Sequence, residues 1–299
     1  MSPGAVLAFD IGGTRIKSAV VVDGRVVGLR RDPTPATYAA TLECLPELGT
    51  EQRATQPAVT HVAACVPGIV NADGRIASLP GKLPGAEGQN LRTALEDAFH
   101  LPASVCNDAL AYGSGEAVAG AGRGQRRVVV VTIGTGVGVT VCEDGVPLGE
   151  GPFGGGILGG QIPILAEGGG LRDTSGRSGT IEAVCRAERL VDYTREAGGA
   201  AFSPTEVMSA LAEGDPAAGA GVARYRALLA QALVALAHAH GPDVIVVGGG
   251  PAGPGSAILE GIEEVMTPRL FGNYRVRVRL AEGGDGAALL GLAHLALTT

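Results

Sequence analysis

The sequence predicts an α/β protein built of two related lobes. Three observations carry that reading. The chain has 299 residues, enough for a large core and for more than one compact body. Short β-branched runs alternate with stretches of helical period, as they do where strands and helices interleave. Each half also opens in the same order, with a strand, a glycine turn and more strands, followed by helices and further strands.

Taken in order, VLAFDIGG and RIKSAVVVDGRVVGLR read as strands with alternating apolar residues, and Asp23-Gly24 supplies a tight turn. A helical period covers residues 38–48, and VTHVAACV is a buried-type strand. Residues 67–89 are punctuated by Gly and Pro and contain NADGR, a hairpin turn. LRTALEDAF is an amphipathic helix, LPASVCND a short strand with a polar end, and ALAYGSGEAVAG the start of another helix.

The second half opens with RRVVVVTIGTGVGVTVCEDGVPLGE, read as strand, glycine turn, strand, Asp-Gly turn, strand. A glycine-rich region spans residues 151–179, and a helix begins near Thr180. SPTE at 203–206 is a capping box. DPAAGAGVARYRALLAQALVALAHAH has an Asp cap, Pro in the first turn and a long apolar stripe. The strand DVIVV, a helix, the strand YRVRVRLA and the helix DGAALLGLAHLAL follow.

Composition narrows the function classes. The 23 Lys+Arg and 30 Asp+Glu show no basic run or aromatic-basic stripe, so nucleic acid is not an expected partner. Five scattered cysteines without C-x-x-C argue against a disulfide framework or a cysteine-rich metal site. The opening MSPGAVLAFDIGGT lacks the features of a signal peptide. Apolar stretches are broken by Gly, Thr or His short of a membrane span, so a cytoplasmic protein without membrane partners is expected.

Residues 243–257, DVIVVGGGPAGPGSA, satisfy G-x-G-x-x-G with Gly248, Gly250 and Gly253. Alone, that is a dinucleotide fingerprint. Such a fold needs an acid about 20 residues on, ending a second strand. Glu282 follows a strand but lies too far along, and too little chain remains for the rest of that fold. An oxidoreductase is therefore disfavoured.

DIGGT, residues 10–14, lies between two strands, and so does TIGTGVG, residues 132–138. Adjacent glycines in such a turn expose backbone N–H groups to an anion, with the Thr14 hydroxyl beside them. Asp10 can hold a hydrated metal ion there. Two such turns, one per lobe, can grip the phosphates of one nucleotide. Asn107-Asp108 follow a strand and precede a helix. Asp108 is either a base that accepts a hydroxyl proton in phosphoryl transfer or the cap of the helix beginning at Ala109.

DIGGTRIK, CNDALAYGSGEA, TIGTGVG, VVGGGPA and GGDGAALLGLAHLA, in that order and spacing, resemble the ROK family of sugar kinases over essentially the whole chain. The resemblance implies the actin-like ATPase (ribonuclease H-like) fold, with a nucleotide and sugar cleft between two lobes. It implies a smaller lobe of residues 1–108, on which residues 285–299 pack back, and a larger lobe of residues 109–284. The implied reaction is ATP- and Mg²⁺-dependent phosphorylation of a hydroxyl on a sugar or cyclitol. Asp108 is then the general base, and Gly68, Asn107, Gln161 and Glu182 contact the substrate. Asp10, Gly12, Gly13, Thr14 and Lys17 form one part of the ATP site, with Asp10 reaching Mg²⁺ through water. Thr132, Gly134, Thr135 and Gly136 form a second part, and Gly248, Gly249 and Gly250 the adenosine turn. For Glu182, an ordinary first-turn helix acid is the alternative. The resemblance also suggests a homodimer.

The chain departs from the family pattern in two linked places. Many members carry C-x-C-G-x-x-G-C at a structural zinc, and here the stretch reads DTSGRSGTIE. Asp173, Ser175 and Thr180 stand at the cysteine positions, so no zinc site of that type is expected. The segment typically E-x-G-H aligns with residues 161–164, placing Gln161 at the acid and Ile164 at the histidine. A substrate altered at that edge is expected, such as a cyclitol, a deoxy or amino sugar, or a less usual hexose. A sugar or nucleotide sensor of the same fold is the alternative. A repressor is disfavoured, since only nine residues precede Asp10.

Overall fold

The computed structural model describes residues 4–55, 59–79, 81–149, 158–166, 170–250 and 256–298. Two compact units emerge. The first takes its described residues from Met1–Gly124, Cys142–Ile157 and Gly283–Thr299, the second from Gln125–Val141 and Leu158–Glu282. The boundary differs from the expected one at residue 108. Residues 109–124 join the first unit because helix α3 (Asp108–Val118) packs along helix α10 (Ala287–Thr298). A Cβ on Gly115 would lie 1.8 Å from the Ala287 carbonyl oxygen, and one on Gly291 1.9 Å from that of Ala111. Only glycine permits so close a crossing.

The first unit is built on a five-stranded sheet in the order β3-β2-β1-β4-β7. Its strands are β1 (Ala5–Ile11), β2 (Arg15–Val22), β3 (Arg25–Pro33), β4 (Val59–Val66) and β7 (Ala103–Asn107). The first three form an antiparallel meander, while β4 and β7 run parallel in sequence beside β1. Both faces are covered, so β1 is apolar almost throughout rather than alternating. Leu7, Phe9 and Ile11 join Leu45 of α1 (Tyr38–Thr55) and Leu91 and Leu95 of α2 (Leu91–Phe99). Val6 and Ala8 point the other way, into a cluster with Ala111, Leu289 and Leu292. The NADGR turn joins β5 (Ile69–Val70) to β6 (Ile76–Ser78), which pair antiparallel.

The second unit carries β8 (Arg127–Ile133), most of β9 (Val137–Glu143), β11 (Val244–Gly249) and β12 (Arg277–Leu280). The sheet order is β10-β9-β8-β11-β12, where β10 (Val146–Pro147) pairs with the last residues of β9. β11 lies parallel between β8 and β12. The helix expected from Thr180 is two helices, α4 (Ile181–Cys185) and α5 (Glu188–Glu196). After α6 (Pro204–Ala212) comes the long α7 (Pro216–His240), whose cap Asp215 accepts the Ala218 N–H at 2.7 Å. By length and composition α7 is apolar enough to cross a membrane, contrary to the reading that every apolar stretch falls short. Its stripe of Tyr225, Leu229, Leu233 and Leu236 is instead buried within the protein. Two short helices, α8 (Ser256–Leu259) and α9 (Ile262–Met266), precede β12.

Candidate functional site

Strand register builds the site of the first unit. Arg31 on β3 pairs with Lys17 on β2, Lys17 with Asp10 on β1, Asp10 with Cys65 on β4, and Cys65 with Cys106 on β7. One row thus crosses all five strands near their ends. In register, neighbouring side chains share a face, so Asp10 has Lys17 on one side and Cys65 on the other. The Lys17 ammonium stands 3.3 Å from Asp10 Oδ2, and Cys65 Sγ donates to Asp10 Oδ1 at 3.5 Å. Burial, together with the charge of Asp10, pushes the Cys65 thiol well above its ordinary range.

Gly12, Gly13 and Thr14 connect β1 to β2. The Gly12 N–H closes the turn on the Arg15 carbonyl at 2.9 Å. Among the described residues, the N–H groups of Gly13 and Thr14 bond to no protein group. Only part of the turn expected to offer N–H groups is therefore available, because Gly12 holds the turn itself.

Asp108 opens α3, but Asn107 caps it. Asn107 Oδ1 accepts the N–H groups of Ala109 at 2.8 Å and Leu110 at 3.3 Å, and Nδ2 donates to the Gly68 carbonyl at 2.5 Å. Asp108 adds one bond of its own, accepting the Ala109 N–H on Oδ1 at 2.8 Å. The reading of Asp108 as the cap is thus corrected by one position. Burial pushes the Asp108 carboxyl above the ordinary carboxylate range. The Ala109 N–H and Lys82 act against that rise, and the charge of Asp10 adds to it.

The second unit repeats the turn. Gly134, Thr135 and Gly136 join β8 to β9, and the Gly134 N–H bonds to the Gly136 carbonyl at 2.9 Å. Thr132, on β8, donates its hydroxyl to the Gly138 carbonyl at 3.4 Å. Gly248 and Gly249 on β11 lie in register with Thr132 and Ile133, which sets the two glycine segments side by side. Gly249 has φ +107°, and a Cβ there would sit 2.0 Å from the Ile133 carbonyl oxygen. Among the described residues, nothing lies within 4 Å of where a Cβ would stand on Gly134 or Gly250. A cavity of about 290 Å³ opens there, lined by Gly134, Thr135, Ala187, Pro204, Met208 and Gly250 among others. Residues 251–255, including Gly253 of the G-x-G-x-x-G, lie outside the described residues.

Glu182 lies in the first turn of α4 and is buried. Its Oε2 accepts the Val137 N–H at 3.1 Å, and its Oε1 accepts the N–H of Thr174 at 2.8 Å and its hydroxyl at 2.5 Å. It therefore couples the end of the second glycine turn to the loop at Thr174. Asp173 organises that loop. Oδ1 accepts the Ser175 hydroxyl at 2.7 Å and N–H at 2.9 Å, and the Arg177 N–H at 2.9 Å; Oδ2 accepts the Thr180 hydroxyl at 3.0 Å. Of the three residues that stand where the family pattern has cysteines, Ser175 and Thr180 thus both bond to Asp173. Among the described residues no group of three or more His, Cys, Asp or Glu could hold a metal ion. Arg177 Nη2 donates to Gln161 Oε1 at 2.6 Å.

The register row was not found from the sequence, since pairing across strands far apart in the chain leaves no local pattern. Cys65 and Arg31 stand outside every sequence motif of the site for that reason. The same holds for Met208 and Pro204, which reach the glycine segments only through folding.

A model of the ROK family matches residues 6–299. This chain belongs to the ROK family. It is similar to the glucokinase of Streptomyces coelicolor, with 31% identity over 98% of each chain. Its structure resembles the ROK hexokinase from Thermus thermophilus, with TM-score 0.87 and 28% identity over 98% of both chains. It also resembles a ROK family glucokinase from Streptomyces griseus solved with glucose and AMPPNP, with TM-score 0.79 and 25% identity over 99% of this chain and 100% of that one. The architecture is the actin-like ATPase fold of the ROK kinases.

Proposed function

We propose that this ROK protein transfers the γ-phosphoryl group of ATP to a hydroxyl of a sugar or cyclitol, with Asp108 as general base. It is a carbohydrate kinase, and one observation carries the choice of base. Asn107 performs the capping, which leaves Asp108 Oδ2 for chemistry in a half-buried position near Asp10. As the hydroxyl oxygen bonds to phosphorus, its proton passes to Asp108 Oδ2, and the bond between phosphorus and ADP breaks. Raising a carboxyl toward neutral pH suits it to that role.

ATP as donor is supported by the open backbone at Gly134 and Gly250 and by the cavity beside them, whose Ala187, Pro204 and Met208 suit an adenine ring. It is supported too by the AMPPNP complex of the Streptomyces griseus glucokinase. Thr14 and Thr135 bring hydroxyls to the two turns. The hard carboxylate oxygens of Asp10 suit a water-bridged Mg²⁺, and the N–H groups of Gly13 and Thr14, unbonded among the described residues, suit phosphate oxygens. Mg²⁺, when bound, neutralises the charge of the phosphoryl oxygens.

Gln161 shapes the substrate edge. An arginine can only donate, so the Gln161 amide oxygen must face Arg177 and its Nε2 faces elsewhere. The substrate therefore meets a hydrogen-bond donor where the E-x-G-H pattern has an acid. ADP release with ATP and Mg²⁺, run over hexoses, N-acetylhexosamines, uronates and cyclitols, tests the reading. A saturating rate with one sugar is the expected result. ATP binding with no turnover across the panel would favour a sensor instead.

A further inference from the structure

Asp285 lies in the turn before α10, 254 positions along the chain from Arg31, and meets both cations of the strand row. Its two oxygens have different partners. Arg31 donates Nε at 2.9 Å and Nη2 at 2.6 Å, both to Oδ2. Lys17 Nζ stands 3.2 Å from Oδ1 and 3.3 Å from Asp10 Oδ2. One lysine is therefore shared almost evenly between two carboxylates, and one of them is held in place by an arginine.

Without Asp285, Lys17 would have Asp10 as its sole partner in this row. The ammonium would then cover Asp10 Oδ2 and set a positive charge beside any divalent ion approaching the same carboxylate. Like charges a few ångströms apart repel appreciably at a half-buried site. Asp285 opposes both effects, because it offers Lys17 a second partner and cancels its charge. Arg31 keeps Asp285 from following Lys17 toward Asp10.

We propose that Asp285 is a positioning residue of the divalent-cation site: by sharing Lys17 with Asp10 it offsets the ammonium's charge and weakens its hold on Asp10 Oδ2, which favours the approach of the cation that accompanies the nucleotide. This rests on the reading of Asp10 as the carboxylate on the cation side. Asp285 touches no reacting atom in this scheme and acts through Lys17.

The test measures binding, without turnover. Mn²⁺ is titrated into the full-length protein with AMPPNP, and free Mn²⁺ is followed by electron paramagnetic resonance. Asp285→Asn is expected to weaken Mn²⁺ binding about tenfold, a difference typical of one lost charge interaction. Asp285→Glu is expected to stay near the parent. In a Lys17→Met background, adding Asp285→Asn should change little, since the lysine through which Asp285 acts is gone. If Asp285→Asn does not fold, Arg31→Gln, which releases Oδ2, should weaken Mn²⁺ binding in the same direction. A folded Asp285→Asn with parental Mn²⁺ affinity, even at a lowered melting temperature, would overturn the proposal. So would a full loss that persists without Lys17. Parental Mn²⁺ affinity in Asp10→Asn would instead remove Asp10 from the cation site, a failure of the underlying reading that this set shows separately.

Discussion

Asn107 Oδ1 accepts the Ala109 and Leu110 N–H groups, while Asp108, one residue on, accepts the Ala109 N–H on Oδ1. The residue that terminates β7 thus caps α3. Asn107 also donates to the Gly68 carbonyl, which fixes the loop after β4 against the start of α3.

Asp108→Asn should lower kcat by roughly 10²–10⁴-fold, the usual contribution of a general base, with nucleotide binding retained. The pH dependence has a definite sign. A base must be ionised, and the Asp108 carboxyl titrates above the ordinary carboxylate range because of burial. The acidic limb of kcat/KM should therefore lie above the usual aspartate value of about 4. The same displacement means the fold favours the protonated form, so stability falls as pH rises through the raised value. At neutral pH Asp108→Asn should thus leave the melting temperature unchanged or higher. An activity loss accompanied by a large drop in melting temperature would contradict this assignment.

Asp173 has the opposite sign. Its burial tends to raise the carboxyl, but the Ser175 hydroxyl, the Arg177 N–H and the Thr180 hydroxyl outweigh that and hold it below the ordinary range. The stabilisation it brings is present above the unfolded value and disappears as pH falls through the folded one. Asp173→Ala strands several donors at once and should destabilise by roughly 2 kcal/mol. Thermal melts at neutral pH with and without EDTA complete the check, and the chelator should have no effect on the parent. A melting temperature that drops with EDTA would mean a metal, not the carboxylate, fastens this loop.

Gln161→Glu turns a donor edge into an acceptor. With Arg177 bonded to whichever oxygen faces it, the second oxygen is left for a sugar hydroxyl. The ratio of kcat/KM for glucose to that for the parent's preferred sugar should rise about tenfold, the size of one charged hydrogen bond. An unchanged ratio would place Gln161 outside the substrate pocket.

Much of the fold was legible because its cause is local. The strand RIKSAVVV, the Asp23-Gly24 turn, the Asp215 cap with Pro216 and the strand-turn-strand at both glycine turns each follow from a few adjacent residues, although β2 is buried continuously over Ser18–Val21 rather than in alternation. The capping box at Ser203 was half right. Ser203 accepts the Glu206 N–H at 3.2 Å, but Glu206 Oε2 takes the Phe202 N–H at 2.7 Å, one position before the cap. The difference between the expected boundary at residue 108 and the compact units has a longer-range cause. Gly115 and Gly291 show nothing in isolation, and only their mutual approach assigns α3 to the first unit. Of the site, the glycine turns and Asp10 could be read directly. The row from Arg31 to Cys106 and the role of Asp285 could not, because register and tertiary charge pairing are not written in spacing.

The first unit is assembled from opposite ends of the described chain. During synthesis β1, β2 and the glycine turn at Gly12 emerge early, whereas Asp285 and α10 are made after everything in the second unit. Until then Val6, Ala8 and Ala111 lack Leu289 and Leu292, and Lys17 and Arg31 lack the carboxylate that both of them meet. A nascent chain stalled before residue 283 would carry the apolar face of its first sheet uncovered, the kind of surface that chaperones hold and aggregates recruit.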